Sequence, residues 1–403
     1  MVKVAHVASI SGSLRFLLLN QMLSLREAGY EVVGISAPGP HVPVLEAAGI
    51  RHIAVPLTRR ITPGEDLRAF GQLYRIMRRE RFTIVHGHTP KAELLAQLAA
   101  RCAGVPVVVD TFRGIYYRPA MHPLWRWVFL RMAQLAAACA DVMLSQSREA
   151  MDMIVREHIC PPHKLRYLGN GIDIDRFDPR QVTAGAVRRK REELHLPEGV
   201  PVVGFVGRLV AEKGVLDLLQ AVPLVRKRCP DVRFVFVGQA DQDKDDAVDP
   251  AVITGSEVAS ACIFAGAHTE MPEIYALMDV FTLPSYRESV PRSPMEAAAM
   301  QVPCVLTDIS GCREVVTPGY NGFLVPPGDV KALAEALVTL LSDRDLARRM
   351  GEAGRAQAIA HFDERAVFAR VKAEYARLLQ EQGLTAPAPL WPDVAPAGVA
   401  YDC

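Results

Sequence analysis

Two carboxylates and two cations in the rear half of the chain are the residues whose type and spacing point to chemistry. The segment Pro284-Ser285-Tyr286-Arg287-Glu288-Ser289-Val290-Pro291-Arg292-Ser293-Pro294-Met295-Glu296-Ala297 leaves an apolar strand and carries Glu288 and Glu296. With Ser293 as N-cap and Pro294 at the first helical position, Glu296 at the third position reads as the acid of a capping box, a structural use that needs no ligand. Glu288 has no such use. A carboxylate beside a buried strand is costly unless it meets hydroxyls, cations or water, so its place suits a polyhydroxyl ligand such as a sugar or ribose. Upstream, Val203-Gly204-Phe205-Val206-Gly207-Arg208 ends a strand in a glycine-bearing turn, and Lys213-Gly214 opens the next helix. A helix start offers free backbone N–H groups and the positive end of the helix dipole, so Arg208 and Lys213 beside it can bind a diphosphate. The same residues also read as a solvated loop with two ordinary cations.

The elements that must position these groups follow an alternating pattern. Short β-branched runs (Val2 to Ala8, Glu31 to Ile35, Ile53 to Val55, Ile84 to His86, Val105 to Val109, Asp141 to Leu144) alternate with longer amphipathic stretches such as Leu14 to Ala28. The rhythm restarts with Pro201 to Val206, a helix over Val215 to Arg228, then Arg233 to Val237, Ala261 to Phe264, Val280 to Leu283 and Val302 to Leu306. Strands alternating with helices make parallel sheets covered on both faces, and ligands of such sheets sit beyond the carboxyl ends of the strands. The fold class is therefore α/β: two Rossmann-like, doubly wound parallel-sheet domains with their ligand loops facing across a cleft. The reading places one domain over residues 1–172, a second over 173–360, a helix over 361–380 packing back on the first domain, and a disordered tail over 381–403.

Composition agrees with two globular lobes. The chain has 403 residues, 50% hydrophobic and 23% charged, which excludes disorder, collagen and coiled coil. No run is long enough to span a bilayer, and the first residues lack the pattern of a signal peptide, so a cytoplasmic location is expected. The eight cysteines are scattered without CxxC or metal-ligand spacing. Overall neutrality hides an asymmetry: residues 1–172 carry 21 basic and 12 acidic side chains, and residues 173–403 carry 25 and 33.

The ordered series Gly207-Arg208…Lys213-Gly214, Asp279 with Leu283-Pro284-Ser285, Glu288 followed by Glu296, Gly311…Glu314 and Gly322…Pro326 resembles the GT-B retaining glycosyltransferases of family 4. Asn170-Gly171-Ile172-Asp173 with Phe177 is similar to that family's interdomain signature. The resemblance implies a transferase that moves a sugar from a UDP- or GDP-sugar to an acceptor. It implies that Arg208 and Lys213 hold the donor diphosphate, Glu296 meets the ribose, Glu288 binds the transferred sugar, and Gly12 lies in a loop that lets backbone approach the donor. Glu288, Arg208 and Lys213 are the catalytic candidates. No cofactor and no metal are expected, although Asp173-Ile-Asp175, Asp241-Gln-Asp243, Asp243-Lys-Asp245 and Asp343-Arg-Asp345 contain DxD patterns.

One departure stands out: where the family commonly has His before Gly, this chain has Arg113-Gly114, a permanent cation that cannot act as a base. Arg113 is expected to face the donor. His86-Gly87-His88-Thr89-Pro90-Lys91-Ala92 looks like a stretch of family members that extend polyprenyl-diphosphate-linked glycans, which makes His88 and Lys91 candidate acceptor contacts. The segment with Arg113, Tyr116, Tyr117, Arg118, Trp125, Arg126, Trp127 and Arg131 reads either as an anionic-membrane contact or as core aromatics with snorkelling arginines. The expected partners are a nucleotide sugar, a lipid-linked or saccharide acceptor and an anionic membrane surface, with no nucleic acid. A nucleotide-sugar epimerase and a non-catalytic nucleotide-sugar-binding subunit are the alternatives.

Overall fold

The computed structural model describes residues 1–58, 61–114, 121–241, 246–250 and 258–387. The short apolar runs form two wholly parallel sheets. The first contains β1 (Lys3–Ile10), β2 (Glu31–Ala37), β3 (Arg51–Ala54), β4 (Ile84–Gly87), β5 (Val107–Phe112), β6 (Val142–Ser145) and β7 (Leu165–Tyr167), in the order β3-β2-β1-β4-β5-β6-β7. The second contains β8 (Val202–Val206), β9 (Arg233–Val237), β10 (Cys262–Gly266), β11 (Val280–Leu283), β12 (Cys304–Thr307) and β13 (Gly322–Val325), in the order β10-β9-β8-β11-β12-β13. Each sheet is α/β and doubly wound, as the alternating pattern requires. Strand order reverses between β1 and β4 in one and between β8 and β11 in the other, the switch points where such sheets open a crevice for ligands.

The chain divides into two compact units, one of Met1–Gly169 with Phe368 onward and one of Asn170–Val367. In the first, Val7, Ile35, Val85 and Val108 of the sheet pack on Leu73, Met77, Ala96 and Ala100 of two covering helices. In the second, Phe205, Phe234, Phe236 and Phe281 lie in one continuous core. The helix Glu364–Glu381 ends in the first unit, where Val371, Tyr375 and Leu379 are fully buried. Asn170-Gly171-Ile172-Asp173 runs beside Phe362–Glu364, with the Ile172 amide donating to the Phe362 carbonyl at 2.8 Å. The end of the chain from residue 388, most of the expected tail, lies outside the described residues. Before it, the Leu384 amide still donates to the Leu379 carbonyl at 2.8 Å.

Three local expectations are corrected. The stretch Leu14 to Ala28 is not one helix: a short turn at Ser11–Ser13 passes through a wide π-type turn at Leu14–Leu18 before the α-helix Leu19–Glu27. The strands β7 and β13 were not expected, and β7 has only three residues. The capping box at Ser293 does not form, because the helix begins two residues earlier, at Arg292, with Pro291 as N-cap and no side-chain cap.

Candidate active site

In the second unit the groups singled out by sequence gather at the carboxyl ends of β8 and β11. Beyond β8 the chain passes Arg208, makes a tight turn at Ala211–Lys213, and enters the helix Val215–Arg226 through Gly214 at φ 74°. A side chain at position 214 would strain that φ, and its Cβ would sit 2.0 Å from the Pro284 carbonyl oxygen. Glycine therefore lets the connection after β8 press against the connection after β11. On the other flank, a Cβ at Gly311 would lie 2.1 Å from the Ser289 carbonyl oxygen. The Glu288 loop is thus held between two close backbone approaches.

Side chains complete the clamp. Lys213 Nζ meets Glu288 Oε1 at 2.5 Å, and Arg287 Nε meets Glu212 Oε1 at 2.8 Å. The Tyr286 amide and the Ser285 hydroxyl both donate to the Glu212 carbonyl, at 2.9 and 3.2 Å. Arg208, the most exposed of these cations at 44%, donates from Nη1 to Asp241 Oδ2 at 2.6 Å. Each of these three cations thus faces a carboxylate.

Glu296 follows on the helix Arg292–Ala299. Its Oε2 accepts a hydrogen bond from the buried Tyr275 hydroxyl at 2.8 Å, while Oε1 lies 4.0 Å from Arg292 Nε. Burial raises the Glu296 carboxyl above its ordinary range, and Arg292 and the Tyr275 hydroxyl pull it back. One oxygen is fixed and the other keeps acceptor capacity. Its partner is tertiary, not its own helix start.

In the first unit, Gly12, His88 and Arg113 come to the carboxyl ends of β1, β4 and β5. Gly12 lies in the turn after β1, close to the His41 ring. His88 follows β4, and its Nε2 lies 2.8 Å from Nδ1 of His6. His86 stacks beside them, with Nδ1 at 2.7 Å from the Tyr375 hydroxyl and Nε2 at 2.6 Å from Thr111 Oγ1. Burial, then Arg113, lowers His6 to about 3. Burial, the neighbouring rings and Arg113 hold His86 and His88 well below the usual range. The three are neutral at physiological pH.

Ligand atoms of these three histidines lie within 4.8 Å of one another. His86 directs both nitrogens to hydroxyls, while the contact between His6 and His88 leaves His6 Nε2 and His88 Nδ1 buried without a hydrogen-bond partner among the described residues. Lys91 turns elsewhere: it is 8% exposed and forms an ion pair with Asp66, with Thr58 and Thr62 hydroxyls at 2.5 and 3.2 Å.

Sequence reasoning missed Glu212, Arg287, Asp241, Tyr275 and His6. The neighbouring opposite charges Glu212-Lys213 and Arg287-Glu288 were a visible signal. Nothing in the letters marked Tyr275.

The family described as "Glycosyltransferase Family 4" matches residues 17–176, and that described as "Glycosyl transferases group 1" matches residues 200–343. The chain is 26% identical to the capsular polysaccharide biosynthesis glycosyltransferase CapM of Staphylococcus aureus, covering 94% of this chain and 98% of that one. It is 28% identical to the UDP-Gal:alpha-D-GlcNAc-diphosphoundecaprenol alpha-1,3-galactosyltransferase of Escherichia coli, over 86% of this chain and 89% of that one. Among solved structures, Anabaena Alr3699/HepE in complex with UDP and glucose superposes with a TM-score of 0.80 at 19% identity, covering 93% and 99% of the two chains, which shows a shared GT-B fold. The chain is a glycosyltransferase and belongs to the group 1, family 4 glycosyltransferases.

Proposed function

We propose that this enzyme transfers a sugar, with retention of anomeric configuration, from a UDP- or GDP-sugar to a lipid-linked saccharide in the assembly of a cell-surface polysaccharide. The observation that carries the donor side is the Lys213–Glu288 pair at the β8/β11 switch point, with Arg208 on the same connection. A cation for phosphate and an acceptor for sugar hydroxyls stand side by side there. Glu296 lies on the helix that follows, with an oxygen suited to ribose hydroxyls.

In this reading the bond between the anomeric carbon and the diphosphate breaks as the acceptor oxygen bonds to the same face of that carbon. The acceptor proton passes to the departing phosphate oxygen, so the products are the nucleoside diphosphate and the new glycoside. Arg208 and Lys213 stabilise charge developing on the diphosphate. The neutral histidines offer uncharged donors and acceptors suited to hydroxyls, and Arg113 a fixed positive charge. The acceptor class rests on the relatives: the E. coli one is named for a diphosphoundecaprenol-linked sugar and the S. aureus one for capsule synthesis.

A peripheral membrane position fits such an acceptor. No helix among the described residues is long and apolar enough to cross a membrane. The helix Pro123–Cys139 begins with exposed Leu124, Trp125 and Trp127, which supports the membrane reading of that segment over the core one. Tyr116, Tyr117 and Arg118 lie outside the described residues.

The test is incubation with UDP- and GDP-sugars and a bacterial lipid extract. Nucleotide release that depends on the extract is expected. Interconversion of the sugar without an acceptor identifies an epimerase, and tight binding without turnover identifies a non-catalytic subunit. Glu288→Ala and Arg208→Ala are expected to lower transfer by at least about a hundredfold while the protein stays folded.

A further inference from the structure

Lys213 and Glu288 do not meet alone. The residues just before them, Glu212 and Arg287, form a second ion pair of opposite polarity, so that two adjacent residues of one connection, acid then base, face two adjacent residues of the other, base then acid. We infer that Glu212 and Arg287 are positioning residues whose ion pair fixes the register of the two connections and thereby presents Lys213 to the donor diphosphate and Glu288 to the sugar. The inference rests on the donor site proposed above.

Three observations support it. The Glu212 side chain is 8% exposed and Arg287 is 37% exposed, so the carboxylate is mostly withdrawn from water while its partner is partly exposed. The Glu212 backbone is pinned at both ends: its amide donates to Asp246 Oδ2 at 3.0 Å, and its carbonyl accepts from the Tyr286 amide and the Ser285 hydroxyl. The Ser285 carbonyl in turn accepts from the Thr307 hydroxyl at the end of β12. Glu212 is therefore the point where the connections after β8, β9 and β11 are joined, which is more than a surface ion pair does.

The charge order also excludes the neighbouring registers. A slip of one residue in either direction sets Glu212 against Glu288 or Lys213 against Arg287, and like charges in a partly desolvated place repel. In the observed register both contacts are attractive. A single reversal at 212 or 287 creates a repulsive contact inside the clamp, and reversal of both restores an attractive one.

The experiment compares Glu212→Arg, Arg287→Glu, the double exchange and the neutral pair Glu212→Gln/Arg287→Gln with the wild type. Each is titrated calorimetrically with UDP, UDP-glucose, GDP and GDP-mannose, and melted without ligand. Each single reversal is expected to weaken nucleotide-sugar binding by at least about tenfold, and the double exchange to recover to within about threefold of wild type. The neutral pair folds and binds the bare nucleotide, but loses most of the added affinity that the sugar gives, because Glu288 is no longer held. Single variants that bind as the wild type does, or a double exchange no better than the singles, overturn the inference. A wild type that binds none of the four ligands overturns the donor-site reading instead. Non-additive melting of the singles and the double exchange then still reports whether the 212–287 pair couples.

Discussion

At the scale of single residues, Glu296 shows how the same letter serves two arguments. The sequence Ser293-Pro294-Met295-Glu296 satisfies a local capping rule, but the helix starts at Arg292 and the carboxylate is taken by Tyr275, from a different segment of the second unit. Tyr275 is fully buried, and burial with the facing Glu296 raises its hydroxyl well above the usual range, so it stays a donor. Tyr275→Phe removes a hydrogen bond to a charged acceptor, a loss of about 2 kcal/mol when the bond is buried. The burial that raises the Glu296 carboxyl remains while one group that lowers it is gone, so its protonation midpoint moves further up. The charged form is the one that accepts from hydroxyls, and it is lost as pH falls through that midpoint. UDP affinity of Tyr275→Phe, measured by calorimetry from pH 5 to 8, is therefore expected to fall off at a higher pH than in the wild type. Curves that superpose after scaling would show that Tyr275 only fills space.

At the scale of elements, the strand–helix alternation was readable because strands buried on both faces must be short and apolar. β1, β2, β4, β8, β9 and β11 fall within a few residues of the apolar runs for that reason. β7 escaped because Leu165-Arg166-Tyr167 is too short, and too polar at its centre, to show a period. The turn at Leu14–Leu18 escaped because helical spacing continues through it while Phe16 and Leu17 point to solvent. Pairings between elements were not readable at all: Lys213 and Glu288 are 75 positions apart, and only the adjacency of β8 and β11 joins them.

The same holds for β5 and the helix Pro90–Ala103. Asp110 on β5 is fully buried against Glu93 and Gln97, and burial pushes its carboxyl up to about 7, against the pull of those side chains and the Thr111 amide. An unfolded Asp ionises near 3.8, so the folded protein holds this proton where the unfolded chain does not. The Asp110 contribution to stability is thus greatest at low pH, declines as pH rises from about 4 to about 7, and is level above. Asp110→Asn abolishes that decline. Its melting temperature relative to wild type is expected to rise from pH 5 to pH 8, by an amount on the order of a few kcal/mol in unfolding free energy. A difference that does not change with pH would show that Asp110 ionises as it does in water.

At the scale of the whole molecule, the charge asymmetry read from the sequence acquires a surface. The positive surplus lies in residues 1–172, the stretch that includes the helix Pro123–Cys139. Ala133, Ala136 and Ala137 form the buried side of that helix, and Leu124, Trp127, Arg131 and Leu135 follow one another on the exposed side at helical spacing. Trp125 and Trp127 are 52% and 54% exposed, and Arg131 lies over the Trp127 ring at 5.7 Å. Tryptophans cost free energy in water and are favoured at a lipid headgroup boundary, where arginines meet lipid phosphates. Were the acceptor lipid-linked, as proposed above, such a face would bring the enzyme to it. The protein is therefore expected to sediment with vesicles containing about one-third phosphatidylglycerol and to be released as salt rises, since each basic contact is screened within a Debye length. The double substitution Trp125→Ala/Trp127→Ala removes apolar area about half of which the fold leaves exposed, so it should lower the melting temperature only modestly while weakening vesicle binding by at least about tenfold. Turnover on a soluble short-chain acceptor should then be untouched while turnover on the vesicle-borne one falls. A double variant that binds vesicles as the wild type does would separate this face from the membrane and leave the acceptor to be reached by some other surface.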